Sequence, residues 1–125
     1  PDAAARFGAW MHYSLTLADR RIFVSAEREY EGFVIAQPLS FFHLPLTSER
    51  DHFGLIDDFW ASEFAAPQGL SDTQNARNLI ESAEVEFAQR GRTSAMVICA
   101  ADWRSKQAFL RAAGYGDGNA WMLKA

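Results

Sequence analysis

Two adjacent aspartates, Asp57 and Asp58, stand in the middle of the apolar segment GLIDDFWAS at residues 54–62, which we predict to be a β-strand. A carboxylate that is partly shielded from water has a pKa closer to neutrality, so it can accept a proton from a nucleophile. Neighbouring side chains of a strand point to opposite faces of the sheet, so one aspartate could face a substrate cleft as a general base. The structural alternative is that one caps a loop while the other meets solvent or an arginine.

No other set of side chains forms a reactive or metal-binding pattern. His12, His43 and His52 lie in separate segments without the spacing of metal ligands, so we expect no metal site. Cys99 is the single cysteine and lies in an apolar run, which predicts a packed core thiol. A lone cysteine cannot form an internal disulfide, which fits a reducing compartment, and we expect a cytoplasmic location.

The composition favours one globular domain over residues 1–125. Hydrophobic residues make up 49% of the chain, which is enough for a substantial core. The net charge is −4, with 12 basic and 16 acidic residues well mixed, and the absence of a basic stripe argues against a nucleic-acid partner. No apolar run approaches the roughly 20 residues that span a bilayer, so we expect no membrane partner.

The hydrophobic pattern predicts alternating helices and strands. In the first strand we expect Ile22 and Val24 to share one face and Phe23 to lie on the other. This strand and the next read as an antiparallel hairpin, and a long helix between two later strands indicates a parallel crossover. A mixed sheet is expected. The predicted order is helix 1–11, strands 21–28, 33–37 and 54–62, a helix from about 72 to 90, strand 94–100, helix 103–113 and strand 120–124.

Both later helices carry end signals. Ser71 and Gln74 have the spacing of a capping box, which would start the first of them near residue 72, and Gly91 is expected to end it. Asp102 is the expected N-cap of the following helix, which Gly114 should stop. The buried face of the first helix is predicted to consist of Ala76, Leu79, Ile80, Ala83 and Phe87.

Three segments together resemble the GNAT superfamily of N-acetyltransferases. EREYEGFVIAQ is similar to the second and third strands of that family, and NLIESAEVEFAQRG is similar to its main helix. VICAADWRSKQAFLRAAGY is similar to its fifth strand and fourth helix, which end in a Gly-aromatic pair, here Gly114 and Tyr115. The resemblance implies an α/β (α+β) fold, with a mostly antiparallel twisted sheet and helices on both faces. The family's first strand and much of its first helix would be missing before Pro1.

The resemblance implies an N-acyltransferase that uses acetyl-coenzyme A and acts on a small-molecule or peptide amine, with Asp57 or Asp58 as the base. In the family, a strand backbone pairs with the pantetheine arm, and the next helix presents free N–H groups and its dipole to the pyrophosphate. On this sequence, Phe59, Trp60 and Ala61 would pair with the arm. The phosphate loop and the first helical turn would be formed by Ser71, Gln74, Asn75, Ala76 and Arg77.

The sequence departs from the family pattern at two places. The phosphate-loop pattern Q/R-x-x-G-x-G/A falls on residues 71–76, where only Ala76 matches and Asp72 adds a negative charge. The tyrosine that protonates the leaving thiolate in many members would fall at Leu110. Both departures favour an alternative function, in which a GNAT-shaped domain without activity serves in ligand binding or protein interaction.

The predicted loop at residues 38–53 is unusually apolar, with Phe41, Phe42, Leu44 and Leu46 in a short span. Such a surface must be covered. A lid over the acceptor site and a contact in a homodimer are both open interpretations of this loop.

Overall fold

The structure is a computed structural model, and it describes residues 2–17, 19–26, 31–38, 53–65 and 72–118. These residues form three α-helices, four β-strands and a short 3₁₀ turn. The elements in chain order are α1 (Asp2–Leu15), β1 (Arg21–Val24), β2 (Gly32–Pro38), β3 (Phe53–Ala61), the 3₁₀ turn (Ser62–Ala65), α2 (Gln74–Gln89), β4 (Ser94–Val97) and α3 (Arg104–Ala112). The predicted strand 120–124 and the apolar loop that follows β2 lie outside the described residues.

The four strands form one sheet in the order β1-β2-β3-β4. The β1–β2 and β2–β3 pairs are antiparallel, while β3 and β4 are parallel and α2 connects them. The predicted hairpin, the parallel crossover and the mixed, mostly antiparallel sheet are therefore confirmed. Within the described part of the chain, no helix combines the length and the apolar character that crossing a bilayer requires.

The core lies between α2, α3 and one face of the sheet. The five α2 residues predicted from helical spacing are all buried there: Ala76, Leu79, Ile80, Ala83 and Phe87. They pack in one cluster with Val34, Ala36, Ile56, Phe59 and Ala61 of the sheet and with Phe109 and Leu110 of α3. Each large side chain buried in this way contributes about 1.5–3 kcal/mol relative to exposure. The cluster holds α2 and α3 against the central strands.

Glycines end both later helices, as expected from the sequence. Gly91 has a φ of +73°, and the N–H of Arg92 bonds to the Phe87 carbonyl at 2.8 Å. Gly114 has a φ of +96°, and the N–H of Tyr115 bonds to the Leu110 carbonyl at 2.9 Å. Both patterns are Schellman motifs, which place a residue in the left-handed region just after the helix.

The predicted N-caps are wrong. Thr73 is the N-cap of α2 and Trp103 that of α3, and neither makes a side-chain capping bond. The helix α2 begins later than a Ser71 cap requires, and the Asp72 carboxylate accepts the N–H of Gln74 at 3.1 Å. Asp102 accepts a bond through its backbone carbonyl instead of its side chain.

The side chains of Phe23 and Val24 lie on opposite faces of β1, as predicted. Phe23 packs against the core, whereas Val24 is 67% exposed. The strand lies at the edge of the sheet, and its larger aromatic side chain buries more apolar area against the core than a valine would. The strand β4 is shorter than expected and only partly buried, because its pairing with β3 ends at Val97.

Candidate active site

The strands β3 and β4 part after a short run of pairing. Their ladder extends from Phe53 opposite Ser94 to Ile56 opposite Val97, and one more bond joins the Ile98 N–H to the Ile56 carbonyl at 3.2 Å. β3 continues to Ala61 without a neighbouring strand on this side, among the residues that the structure describes. We call the side of β3 that faces this gap, over residues 57–61, the β3 edge.

A β-bulge marks the point where the strands part. Ile35 lies opposite Asp58 and Ala36 opposite Ile56, so Asp57 is an extra residue without a partner in the ladder. A bulge bends the strand and shifts the alternation of its side chains. As a consequence Ile56 and Phe59 both reach the core cluster, although three positions separate them. Asp57 and Asp58 therefore lie at the bend.

The backbone groups that face the gap belong to alternate residues of β3. The N–H of Ser62 bonds to the Glu31 carbonyl at 2.9 Å, which directs Ser62, and by alternation Trp60, toward β2. Phe59 and Ala61 then direct their backbone groups toward the gap. This geometry narrows the predicted pantetheine partners from three residues to these two, because the backbone of Trp60 belongs to the β2 ladder.

Lys106, a residue that the sequence reasoning missed, lies in the gap. It comes from α3 and is 2% exposed, and its Nζ donates a hydrogen bond to the Phe59 carbonyl. The ammonium also lies 5.0 Å from the centroid of the Trp103 ring and 5.4 Å from that of Phe59. A signal existed in the sequence, since a lysine stands on the helix face that Phe109 and Leu110 share.

Asp58 and Lys106 carry opposite pKa shifts. Burial raises the pKa of the Asp58 carboxyl, and the Lys106 charge and the Phe59 N–H oppose that shift. Burial lowers the pKa of the Lys106 ammonium, against the fields of Cys99 and Asp58. The pKa values of both groups are thus shifted toward neutrality, and both side chains bond to the backbone of Phe59, Asp58 to its N–H and Lys106 to its carbonyl. Groups with this property are typical of sites that transfer protons.

Asp57 has a different environment. Its Oδ2 lies 2.6 Å from Nη1 of Arg20, and their side chains are 21% and 13% exposed. The same nitrogen donates to the buried Ser14 hydroxyl at 3.0 Å, and the guanidinium lies 5.4 Å from the Trp10 ring centroid. Asp57 therefore matches the structural alternative, an aspartate paired with an arginine, and it joins the end of α1 to the bulge.

Carboxylates of the chain itself occupy the N-terminus of α2. Glu63 Oε1 accepts the backbone N–H of Ala76 at 3.3 Å, and its Oε2 accepts Nδ2 of Asn75 at 3.3 Å. Asp72 adds a second carboxylate at the first turn through its bond to Gln74. Negative charge is stabilised at a helix N-terminus, so the dipole of α2 favours these two side chains. The backbone N–H groups of Gln74 and Ala76, in the turn predicted to bind phosphate, are thus already in use.

The other residues predicted to bind the cofactor differ in exposure and in their hydrogen-bond partners. The Asn75 side chain joins the hairpin to α2, with bonds to the Glu31 carbonyl at 2.9 Å and from the Ser25 hydroxyl at 2.7 Å. Gln74 and Arg77 are exposed and bond to Asn78 and Thr73 on their own helix. Ala76 is buried in the core. Ser71 lies outside the described residues.

Two further proton-bearing side chains, Tyr115 and Cys99, make contacts of their own. Tyr115 donates its hydroxyl to Glu84 at 2.8 Å, and burial together with that carboxylate raises its pKa far above the ordinary value. Cys99 packs against the core, as predicted, and burial raises the pKa of its thiol. Leu110 is buried. No group of three potential metal ligands occurs among the described residues.

Two open depressions of about 570 and 460 Å³ lie elsewhere on the described surface. One runs along the outer face of α2 and the other lies near the C-terminal ends of the helices. Neither includes Asp58, Phe59 or Lys106 in its lining.

No protein-family model and no curated protein matches the sequence. Among solved structures, an aminoglycoside 6′-N-acetyltransferase from Acinetobacter haemolyticus matches with a TM-score of 0.69 and 18% identity, covering 99% of this chain and 81% of that one. A candidate acetyltransferase from Pyrococcus furiosus matches with a TM-score of 0.67 and 17% identity, over 98% and 76% of the two chains. A protein described as a transcriptional regulator from Bacillus halodurans matches with a TM-score of 0.67 and 11% identity, covering 97% of this chain and 75% of that one.

These identities are low, so the likeness extends to the fold and not to a particular activity. The architecture agrees with the expectation from the three sequence segments, and several of the similar structures are acetyltransferases. The chain has the fold of the GNAT superfamily of N-acetyltransferases.

Proposed function

We propose that this chain is an N-acyltransferase that moves an acetyl or related acyl group from coenzyme A to an amine acceptor. The observation that carries the proposal is the parting of β3 and β4, which leaves the backbone groups of Phe59 and Ala61 facing a gap. A pantetheine arm contains two amides and can lie along such an edge as an added strand does. Backbone pairing would hold the thioester beside the bulge.

Asp58 is the base in this proposal. An amine that attacks the thioester must lose a proton, and a carboxylate with a raised pKa accepts it at a smaller energetic cost. Its environment supports the choice, since burial raises its pKa and no arginine within the described residues is paired with it. Asp57 is then a positioning residue, because its ion pair with Arg20 holds the bulge. Placing both reactants beside Asp58 would supply a large part of the rate.

The phosphate end of coenzyme A is the weaker part of the fit. Glu63 and Asp72 would repel a pyrophosphate, by about 1 kcal/mol for two charges 4 Å apart in water and by more where water is excluded. Exposed Gln74 and Arg77 on the same turn could contact it from the side. We infer that the nucleotide contributes little affinity and that the pantetheine arm contributes most of it.

The acceptor in this proposal is a small-molecule or peptide amine. Several of the similar solved structures are described as aminoglycoside acetyltransferases, which supports a small polyamine as the first acceptor to test. A cytoplasmic location belongs to the same proposal, as does a homodimer contact or lid at residues 39–52, which the structure does not describe.

A second function is favoured by the internal hydrogen bonds that already occupy two backbone groups expected to bind coenzyme A. Lys106 takes the Phe59 carbonyl, and Glu63 takes the N–H of Ala76. A domain whose ligand contacts are satisfied internally could keep the fold without the chemistry and serve in ligand binding or protein interaction. This alternative predicts no turnover of acetyl-coenzyme A, whereas the acyltransferase function predicts turnover.

A turnover assay separates the two functions. The purified chain is mixed with acetyl-coenzyme A and an aminoglycoside or a short peptide, and released thiol is followed with a chromogenic disulfide. We expect amine-dependent thiol release that Asp58→Asn reduces by about 10²-fold or more. Arg104→Met, an exposed change on α3, is the matched control and should keep the activity. No release with any amine would contradict the acyltransferase function and favour the binding domain.

A further inference from the structure

The buried lysine of α3 has no role in the steps above. Lys106 is one of two charged or polar residues that are buried among the described part of the chain, the other being Ser14. A buried ammonium is costly unless its surroundings compensate for lost hydration. Here the compensation comes from the Phe59 carbonyl and two aromatic rings, all of which lie at the gap. The fold therefore keeps a proton donor at the β3 edge.

We propose that Lys106 is the general acid that protonates the leaving thiolate, an inference that rests on the proposed acyl transfer. Any extended thioester that pairs with the β3 edge must pass the Phe59 carbonyl, which is the atom that holds the Lys106 ammonium. The arm must therefore contact this ammonium or take its place at the carbonyl. In either case the Lys106 ammonium lies next to the arm.

Other side chains do not offer this proton in the described structure. Leu110, where the resemblance would have placed a tyrosine, is an apolar core residue. The Tyr115 hydroxyl donates a hydrogen bond to the Glu84 carboxylate, and burial together with this bond raises the pKa of Tyr115. Cys99 is close enough to Lys106 for their charges to interact, but burial raises the pKa of its thiol. Among these groups, Lys106 is the one that carries a positive charge and a proton to donate.

The reaction balances without another reactant. The amine nitrogen forms a bond to the thioester carbon, the carbon–sulfur bond breaks, and its electron pair remains on sulfur. Asp58 takes the proton that the amine loses, and Lys106 gives its proton to the thiolate. The products are an amide and free coenzyme A thiol, and solvent returns Asp58 to the carboxylate and Lys106 to the ammonium.

The surroundings of Lys106 suit an acid. Asp58 faces it from β3, Cys99 from the segment after β4, and the Trp103 ring from the start of its own helix. Burial lowers the pKa of the ammonium and the two acidic groups raise it, with a net lowering. An ammonium with a lowered pKa gives up its proton more readily near neutral pH, while the two rings hold it at the gap.

The test compares two thioesters in the full chain and in Lys106→Met. Acetyl-coenzyme A releases a basic alkyl thiolate that needs a proton, whereas phenyl thioacetate releases a far less basic thiolate. We expect Lys106→Met to lower kcat for acetyl-coenzyme A by about 10²-fold, with KM within about threefold, and to lower turnover of the aryl thioester by less than about tenfold. The alkaline limb of the pH profile should disappear with it.

Lys106→Arg keeps the positive charge but should lose activity toward acetyl-coenzyme A nearly as Lys106→Met does, because a guanidinium gives up its proton only far above neutrality. Full activity of Lys106→Arg would show that a positive charge suffices and would overturn the proton transfer. Circular dichroism checks that both variants are folded, and Arg104→Met is again the matched control. Equal losses with the two thioesters, or a change confined to KM, would overturn the inference and identify Lys106 as a gate or a packing residue. Absence of turnover by the unchanged chain would instead overturn the proposed function and this inference with it.

Discussion

The Glu63 carboxylate and the backbone N–H of Ala76 form a hydrogen bond of 3.3 Å that closes the N-terminal turn of α2. The same carboxylate also accepts the Asn75 amide at 3.3 Å. An anionic ligand that docks at this helix end must therefore compete with a carboxylate of the protein. This relationship explains why the phosphate end of coenzyme A is expected to bind weakly although the fold is present.

Removing the charge of Glu63 should tighten cofactor binding. Glu63→Gln keeps an acceptor for the Ala76 N–H but removes the repulsion, so we expect the Kd of acetyl-coenzyme A to fall about fivefold at low ionic strength, which corresponds to about 1 kcal/mol. Asp72→Gly should act in the same direction. Calorimetry measures both, with Glu81→Gln on the exposed middle of α2 as the control. Unchanged affinity for Glu63→Gln at low salt would refute the electrostatic argument.

The bulge should depend on the ion pair of Asp57. Asp57→Asn leaves the Arg20 guanidinium, which is 13% exposed, without its carboxylate, so we expect a loss of about 1–3 kcal/mol in the free energy of unfolding. Asp117→Asn breaks an exposed pair with Arg111 and should cost less than about 1 kcal/mol. Urea denaturation compares them. Equal stabilities of the two variants would show that the Arg20–Asp57 pair does not hold the bulge.

Asp58 should make the stability depend on pH in the opposite sense to a paired carboxylate. Its pKa in the folded chain is raised above its ordinary value of 3.8, so the folded state binds the proton more tightly than the unfolded state does. Stability contributed by this group is therefore lost as the pH rises from 3.8 through the raised pKa. Asp58→Asn lacks this loss and should gain stability relative to the unchanged chain as the pH rises above about 4. A difference that stays constant or shrinks with rising pH would contradict the raised pKa.

Substitution of Gly54 and of Gly91 by alanine should lower the free energy of unfolding for different reasons and by different amounts. A Cβ at Gly54 would lie 2.3 Å from the Phe87 ring, whereas a Cβ at Gly91 would meet nothing within 4 Å. Gly91→Ala should cost about 1–2 kcal/mol, because its φ of +73° is in the left-handed region. Gly54→Ala should cost about 1–3 kcal/mol or more, because the α2 face must move away from the sheet. Thermal unfolding ranks the two, and a smaller cost at Gly54 would show that the core yields to the methyl group.

Much of the fold could be predicted from the sequence because its signals are local. The α2 face follows from apolar spacing within one helix, and the stops at Gly91 and Gly114 follow from the conformational freedom of glycine. The hairpin and the crossover follow from the order and length of the segments. Which face of β1 is buried could not be predicted, because at a sheet edge the packing of Phe23 against the core determines it.

The site depends on contacts between distant residues, which explains what the sequence did not reveal. The bulge at Asp57 arises from the register between β2 and β3, and Lys106 meets the Phe59 carbonyl across 47 residues. The cap of α2 by Glu63 spans 13 residues and replaces the predicted Ser71 cap. The sequence identified Asp57 and Asp58 as a pair, but the partners that separate them are Arg20, which directly precedes β1, and Lys106 of α3.

The β3 edge can be tested directly by NMR of the isotopically labelled chain during a titration with S-acetylpantetheine, which lacks the nucleotide. We predict saturable binding, with the largest backbone amide shift changes at Phe59 and Ala61 and small changes at the N-terminal turn of α2. A matched titration with adenosine 3′,5′-bisphosphate should cause much smaller changes. Saturable binding of the pantetheine that leaves Phe59 and Ala61 unchanged, or no binding at millimolar concentration, would contradict the proposal that this edge holds the acyl donor.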